Sequence, residues 1–231
     1  MKKILTLFAF FCVWFLSAQD TFVKDNFTKK EVYITMRDGV KLFTSIYIPK
    51  DISAKNKYPI LMQRTCYSVA PYGEDQFKKN LGPNKFLQNE KYIFVYQDVR
   101  GRYMSEGTFT NMTPQVDHKT KKDIDESTDT YDTIDWLVKN VQNNNGNVGQ
   151  YGTSYPGFYA AVGTLADHPA LKASSPQAPI SDVWYDDFHH NGVFMLCDAF
   201  NFYSGLKSDH DEPAQGGRLV RTFVGSSGGS F

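Results

Sequence analysis

Glu31 to Met36 alternates polar and apolar positions, and Lys41 to Ile48 does so again, with Arg37-Asp38-Gly39 between them. A period of two marks a half-buried strand, and an Asp-Gly pair between two such runs marks a tight turn. The stretch therefore predicts a β-hairpin. Tyr58 to Arg64 and Tyr92 to Tyr96 run apolar without that alternation, the pattern of strands buried on both faces. Ser127 to Lys139 places Tyr131, Ile134, Trp136, Leu137 and Val138 near helical spacing. Ser127 or Thr128 is expected to cap that helix, and Asn143-Asn144-Asn145-Gly146 to end it with residues that tolerate left-handed backbone. Asn147 to Tyr151 then predicts a strand, Phe158 to Ala166 a helix and Leu171 to Ser175 a further strand. Strand, helix, strand, helix, strand is the order of a parallel sheet with right-handed crossovers. From about Val183 the periodicity is lost. Trp184 to Tyr203 is aromatic and acidic without clear strands, and residues 215–231 are rich in Gly and Ser and read as a flexible tail.

The 231 residues suffice for one α/β domain. The formal net charge is zero, so neither a nucleic acid nor an acidic surface is implied as partner. Aromatic residues reach 15%, which suits a packed enzyme with an aromatic-lined cleft rather than a disordered chain. The first 18 residues have the layout of a signal peptide: Lys2-Lys3, an apolar run from Ile4 to Leu16, and Ser17-Ala18 before Gln19. Such a run is short for a membrane span, so the expectation is cleavage after Ala18, export to the periplasm or beyond, and no membrane attachment of the mature chain. Cys12 lacks the small preceding residues of a lipoprotein signal. Cys66 and Cys197 could pair in an oxidising compartment; their apolar and aromatic contexts favour two separate buried thiols.

The chemistry centres on Gly152-Thr153-Ser154-Tyr155-Pro156-Gly157, which lies between the predicted strand and helix. A serine between glycines at a strand-to-helix turn is the setting of a nucleophile elbow, where small neighbours let a strained serine stand clear of the sheet at the positive end of a helix. Here Ser154 is the candidate nucleophile, and the Tyr155 amide N–H, directly after it, is a candidate oxyanion donor. No Cys/His cluster has metal-ligand spacing, and no glycine-rich phosphate or dinucleotide motif occurs, so no cofactor and no metal are expected.

The second glycine of the elbow comes one residue later than in the usual G-x-S-x-G. That variant resembles α-amino-acid ester hydrolases and their relatives, the X-Pro dipeptidyl peptidases, cocaine-esterase-like enzymes and glutaryl acylases. The resemblance extends from about Val32 to about Phe202. It is carried further by Met36 to Leu42, by Arg64-Thr65-Cys66-Tyr67, by Gln97 to Gly107, by His168 to Lys172 and by Asp186 to Gly192. It implies an α/β-hydrolase fold, a mostly parallel sheet flanked by helices, here ended before its last strands. Residues 19–183 would form the N-terminal part of that domain, and 184–214 the start of a helical cap. It also implies that the Tyr67 hydroxyl joins the oxyanion hole, although Cys66 stands where the family commonly has proline. Tyr185-Asp186-Asp187-Phe188 resembles the segment that gives ester hydrolases one carboxylate of their ammonium site, which makes Asp187 a substrate-binding candidate. A helix cap is its simpler role.

A serine needs a base and an orienting acid, which this fold delivers after further strands. His118 reads as solvent-exposed, His168 as a packing or capping residue, His189 and His190 as part of the cap entrance, and His210 as surface. The triad acid and histidine are therefore expected outside this chain, in preference to Asp198 and His210. Asp98 and Arg100 read as architectural. The leading expectation is an exported serine hydrolase that cleaves esters or amides of small α-amino acyl groups, or short peptides, through an acyl-enzyme. An X-Pro dipeptidyl peptidase or a glutaryl acylase is a second reading, and a non-catalytic remnant a third.

Overall fold

The hairpin forms where the alternation places it. Strand β1 (Phe27–Thr35) pairs antiparallel with β2 (Lys41–Pro49), and Gly39, at φ 92°, supplies the left-handed backbone of the turn. This is a computed structural model, which describes residues 21–117, 120–182, 184–190, 192–204 and 206. The signal segment, the Gly/Ser tail, His118 and His210 lie outside the described residues. A short helix, α1 (Phe22–Asn26), precedes β1. The sheet continues with β3 (Tyr58–Thr65), β4 (Ile93–Asp98), β5 (Asn144–Thr153) and β6 (Leu171–Gln177), in the spatial order β1-β2-β4-β3-β5-β6. β2 and β4 are antiparallel, whereas β4, β3, β5 and β6 run parallel to one another.

All six residues of β4 are buried, Ile93 to Tyr96 as their apolar run anticipated and the polar Gln97 and Asp98 in addition. Its side chains divide between two cores. Ile93 and Val95 join Ile60, Met62, Leu42 and Ile46 beneath α3 (Glu126–Asn140), whose Ile134 and Leu137 complete that layer. Phe94 and Tyr96 face the other way, onto Phe27, Phe43, Tyr47 and Leu81. A short helix, α2 (Lys85–Asn89), leads into β4. Each fully buried Leu, Ile or Phe contributes roughly 1.5–3 kcal/mol.

Helix α3 starts one residue before the expected range and is capped by Asp125, not by Ser127 or Thr128. The Asp125 carboxylate accepts the Thr128 amide at 2.9 Å while the Thr128 hydroxyl meets the Asp125 amide at 2.9 Å, a reciprocal box in which threonine does the work usual for Glu. The asparagine run does not end this helix. The chain leaves it at Val141, and Asn144 already belongs to β5. Asn144 instead reaches back to the Val138 and Val141 carbonyls at 3.0 and 2.6 Å, so its amide serves the helix end from the strand.

Helix α4 (Tyr155–Gly163) also begins earlier than expected, directly after Ser154, and passes into a 3₁₀ turn at Thr164–Ala166. β6 is the sheet's edge, and most of its residues are exposed. Pro176 is tolerable there because an edge strand has ladder donors to spare. Beyond Val183 the expectation of no strands needs correction. His189–His190 (β7) and Val193–Phe194 (β8) form a minimal antiparallel hairpin, followed by α5 (Leu196–Ser204). Strands of two residues are too short to show a period.

Candidate active site

Ser154 sits at the junction of β5 and α4 with φ 61° and ψ −125°. A non-glycine residue held in this sparsely populated region stores strain on the order of 1–3 kcal/mol. The surroundings enforce it. The Ser154 amide donates to the Gln177 carbonyl of β6 at 2.9 Å, and the Phe158 amide donates to the Ser154 carbonyl at 3.0 Å. The side chain makes no cap bond to its own helix, so the hydroxyl of this exposed residue is not spent on the helix end.

The two glycines are there for space. A Cβ on Gly152 would fall 2.0 Å from the Pro156 carbonyl oxygen, and one on Gly157 would fall 2.4 Å from that of Gln177. The later position of the second glycine thus has a physical reason: it is residue 157, one turn into α4, that meets the β6 backbone. Tyr155 opens α4 and Pro156 follows, so the first amide of the helix is available at its positive end while the next position carries no N–H.

Tyr67 follows β3, and its hydroxyl lies near enough to the Ser154 side chain for the serine to bear on its proton. The ring meets that of Tyr155 edge-on, with centroids 6.1 Å apart. Burial of its hydroxyl pushes Tyr67 up to about 12, with Cys66 adding to the rise and Ser154 opposing it. The phenol therefore stays neutral and able to donate. A hydroxyl donor and a helix-terminal amide flanking an exposed serine are the parts that can bind a developing oxyanion. Cys66 is buried and its thiol is pushed up to about 12, chiefly by desolvation, which leaves it inert. Cys197 is exposed, so only one of the two thiols is buried as expected.

The Tyr155 side chain has a role that sequence reasoning missed. It is the hub of an aromatic cluster with Phe109, Phe158, Tyr159 and Phe202. Its hydroxyl accepts the Met112 amide at 2.7 Å and donates to the Asn111 carboxamide at 2.5 Å, fastening the 109–112 loop to the elbow. The density of Phe and Tyr around positions 155–159 was the available signal.

Asp187 is exposed, not buried among aromatics. Its neighbour Phe188 is buried against Phe202, which in turn stacks on Tyr155 at 6.4 Å. The segment carrying Asp187 is thereby docked on the elbow's cluster while the carboxylate itself faces water. Two of the described histidines are engaged elsewhere. His168 is buried against the Tyr131 ring, accepts the Ala170 amide, and lies 3.8 Å from Asp135, in keeping with a packing role. His189 is stacked between Trp184 and Phe194. Among the described residues no hydrogen bond joins a histidine to Ser154, and no cluster of His, Cys, Asp or Glu has metal-site geometry. No helix among them is long and apolar enough to cross a membrane. Arg100 is architectural as read: it joins Asp38 at 2.7 Å to Asp129 at 2.7 Å, locking the hairpin turn to α3.

Similar folds and sequences occur in known proteins. A crystal structure of an aminopeptidase from a marine sediment Thaumarchaeota archaeon superposes with a TM-score of 0.72 at 37% identity, covering 82% of this chain and 31% of that one. An α-amino acid ester hydrolase superposes with a TM-score of 0.71 at 38% identity, covering 80% of this chain and 30% of that one. Cocaine esterase from a Rhodococcus species is 29% identical over 177 residues, which are 76% of this chain and 28% of that protein. The chain thus spans about a third or less of the length of these relatives. Its mostly parallel sheet with flanking helices is the α/β-hydrolase fold. The family model for X-Pro dipeptidyl-peptidase (S15 family) matches residues 38–224, and with the Ser154 elbow in its place the chain belongs to that family of hydrolases.

Proposed function

We propose that this is a serine hydrolase that cleaves ester or amide bonds through an acyl-enzyme on Ser154, with the Tyr155 amide and the Tyr67 hydroxyl as oxyanion donors. The observation that carries the reading is the strained, exposed Ser154 at the head of α4 facing Tyr67. In this reading Ser154 Oγ attacks the carbonyl carbon and loses its proton to a base. The carbonyl oxygen takes up the negative charge between the two donors, and the leaving group departs with a proton. Water then repeats the sequence on the acyl-enzyme. The triad acid and base are supplied by residues other than those described, and the protein is exported through its first 18 residues.

The proposed substrates carry a free α-amino group, held in part by Asp187. Support comes from the aminopeptidase and the α-amino acid ester hydrolase among the similar structures. An exposed carboxylate attracts an ammonium only weakly, about 1 kcal/mol at 4 Å in water, so Asp187 alone gives modest selectivity. The test is mass gain at Ser154 after incubation with the p-nitrophenyl ester of alanine and, separately, of N-acetylalanine. Faster acylation by the free amine, absent in Ser154→Ala, is expected; preference for the acetylated ester overturns the α-amino reading. The family match supports a second reading, removal of X-Pro dipeptides. Release of p-nitroaniline from Ala-Pro-p-nitroanilide in preference to reaction with the alanine ester would select it.

A further inference from the structure

The loop that carries Tyr67 is tied to one buried carboxylate. Asp98, at the end of β4, is fully buried. Its Oδ1 accepts the Val69 amide at 2.9 Å, and its Oδ2 accepts the Tyr72 hydroxyl at 2.9 Å. The Tyr72 hydroxyl proton is committed to Asp98, so the Tyr72 oxygen is free to accept from the Ser68 hydroxyl at 2.8 Å. Ser68 in turn accepts the Ala70 amide at 3.1 Å. Ser68 is the residue after Tyr67 and has φ 83°, a left-handed conformation that turns the chain there. The far side of the loop is held separately. Lys29 donates to the Pro71 and Gly73 carbonyls at 2.6 and 2.9 Å, and Lys78 donates to that of Ala70 at 2.8 Å. On the Tyr67 side, the Thr65 hydroxyl accepts the Tyr67 amide at 3.0 Å and Arg102 donates to the Cys66 carbonyl at 3.1 Å, which fix the approach from β3; past Tyr67, Asp98 holds Val69 directly and Ser68 through Tyr72.

We propose that Asp98 is a positioning residue that sets the Tyr67 hydroxyl against Ser154 by fixing the left-handed turn at Ser68. This rests on the reading of Ser154 and Tyr67 as the reacting pair. The Val69 amide and the Tyr72 hydroxyl both end on this one buried carboxyl group. A buried donor left unpaired costs about 1–3 kcal/mol. Without Asp98 the turn loses its reason to stay left-handed, and Tyr67 drifts from the serine.

The experiment uses chain labelled with ¹³C on tyrosine rings, with the Tyr67 resonance assigned by its loss in Tyr67→Phe. In the otherwise native chain, Ser154→Ala is expected to shift the Tyr67 resonance because the two side chains are neighbours. In Asp98→Asn and in Tyr72→Phe that Ser154-dependent shift is expected to vanish. Persistence of the shift in both variants overturns the proposal, as does its absence in the native chain. If Asp98→Asn does not fold, Tyr72→Phe, which removes only a hydroxyl, decides alone. The underlying reading is tested apart, by the rate at which a fluorophosphonate labels Ser154. An unchanged rate in Tyr67→Phe with the resonance coupling intact removes Tyr67 from the oxyanion hole and leaves Asp98 as what places it.

Discussion

Asp98 makes an unusual demand as a single residue. Desolvation raises its carboxyl from an ordinary 3.8 to about 7, against the lowering effects of Tyr72, Val69, Met104 and Lys78. The folded chain therefore holds a proton on Asp98 between about pH 4 and pH 7 that the unfolded chain has released. Stability then falls as pH rises through that window and levels off above it, by up to about 1.4 kcal/mol per pH unit. Urea midpoints at pH 5, 6, 7 and 8 for wild type and Asp98→Asn should show the wild-type advantage shrinking as pH rises. An advantage that grows with pH would mean that the charged form is the favoured one. Ser154 was legible as a residue because its flanking glycines and the change of period around it are both visible in sequence. The hold of Asp98 on Tyr72 and Val69 was not, because partners 26 and 29 residues away along the chain leave no local pattern.

At the level of elements, the β5–Ser154–α4 unit depends on backbone approaching backbone. Gly152→Ala and Gly157→Ala would place a methyl 2.0 Å and 2.4 Å from carbonyl oxygens that cannot move independently. Overpacking a well-packed site costs about 1–3 kcal/mol, so each substitution should lower the unfolding free energy read from urea curves by about that much. Gly149→Ala is the control. Its Cβ would meet the Leu61 side chain at 3.4 Å and the Ala173 carbonyl oxygen at 3.8 Å, and near-neutral stability is expected. Equal losses at all three sites would refute the steric account of the elbow. Asp125→Ala should cost about 1–2 kcal/mol by removing the cap of α3. Strands with a clear period and helices with an apolar stripe could be read directly. The Asp125 cap was missed because the box uses Thr where Glu or Gln is the usual signal. The β7–β8 hairpin was missed because two residues a side cannot show alternation.

For the whole molecule, the parallel sheet, the elbow and the docking of the cap segment through Phe188 and Phe202 place an exposed serine beneath aromatic walls. The order of strands and helices was readable because crossover connections leave alternating periods. How the cap meets the elbow was not, since aromatic contacts between residues 155, 188 and 202 are set only in three dimensions. With no histidine bonded to Ser154 among the described residues, the 231-residue chain alone is expected to turn over activated esters on the order of 10⁴- to 10⁶-fold more slowly than an enzyme with a full triad. Steady-state hydrolysis of an alanine p-nitrophenyl ester, with Ser154→Ala subtracted, measures it. Turnover at enzymic rates would place an acid and a base within these residues. Labelling needs only a single attack by Ser154, so even a reaction slowed by the lack of a bonded base accumulates over hours, and it addresses the central claim most directly. The purified chain is incubated for hours with excess fluorophosphonate, digested, and its peptides mapped by mass. One adduct on the peptide containing Ser154, lost in Ser154→Ala, is the predicted result; label on another residue, or no label at Ser154, would contradict it.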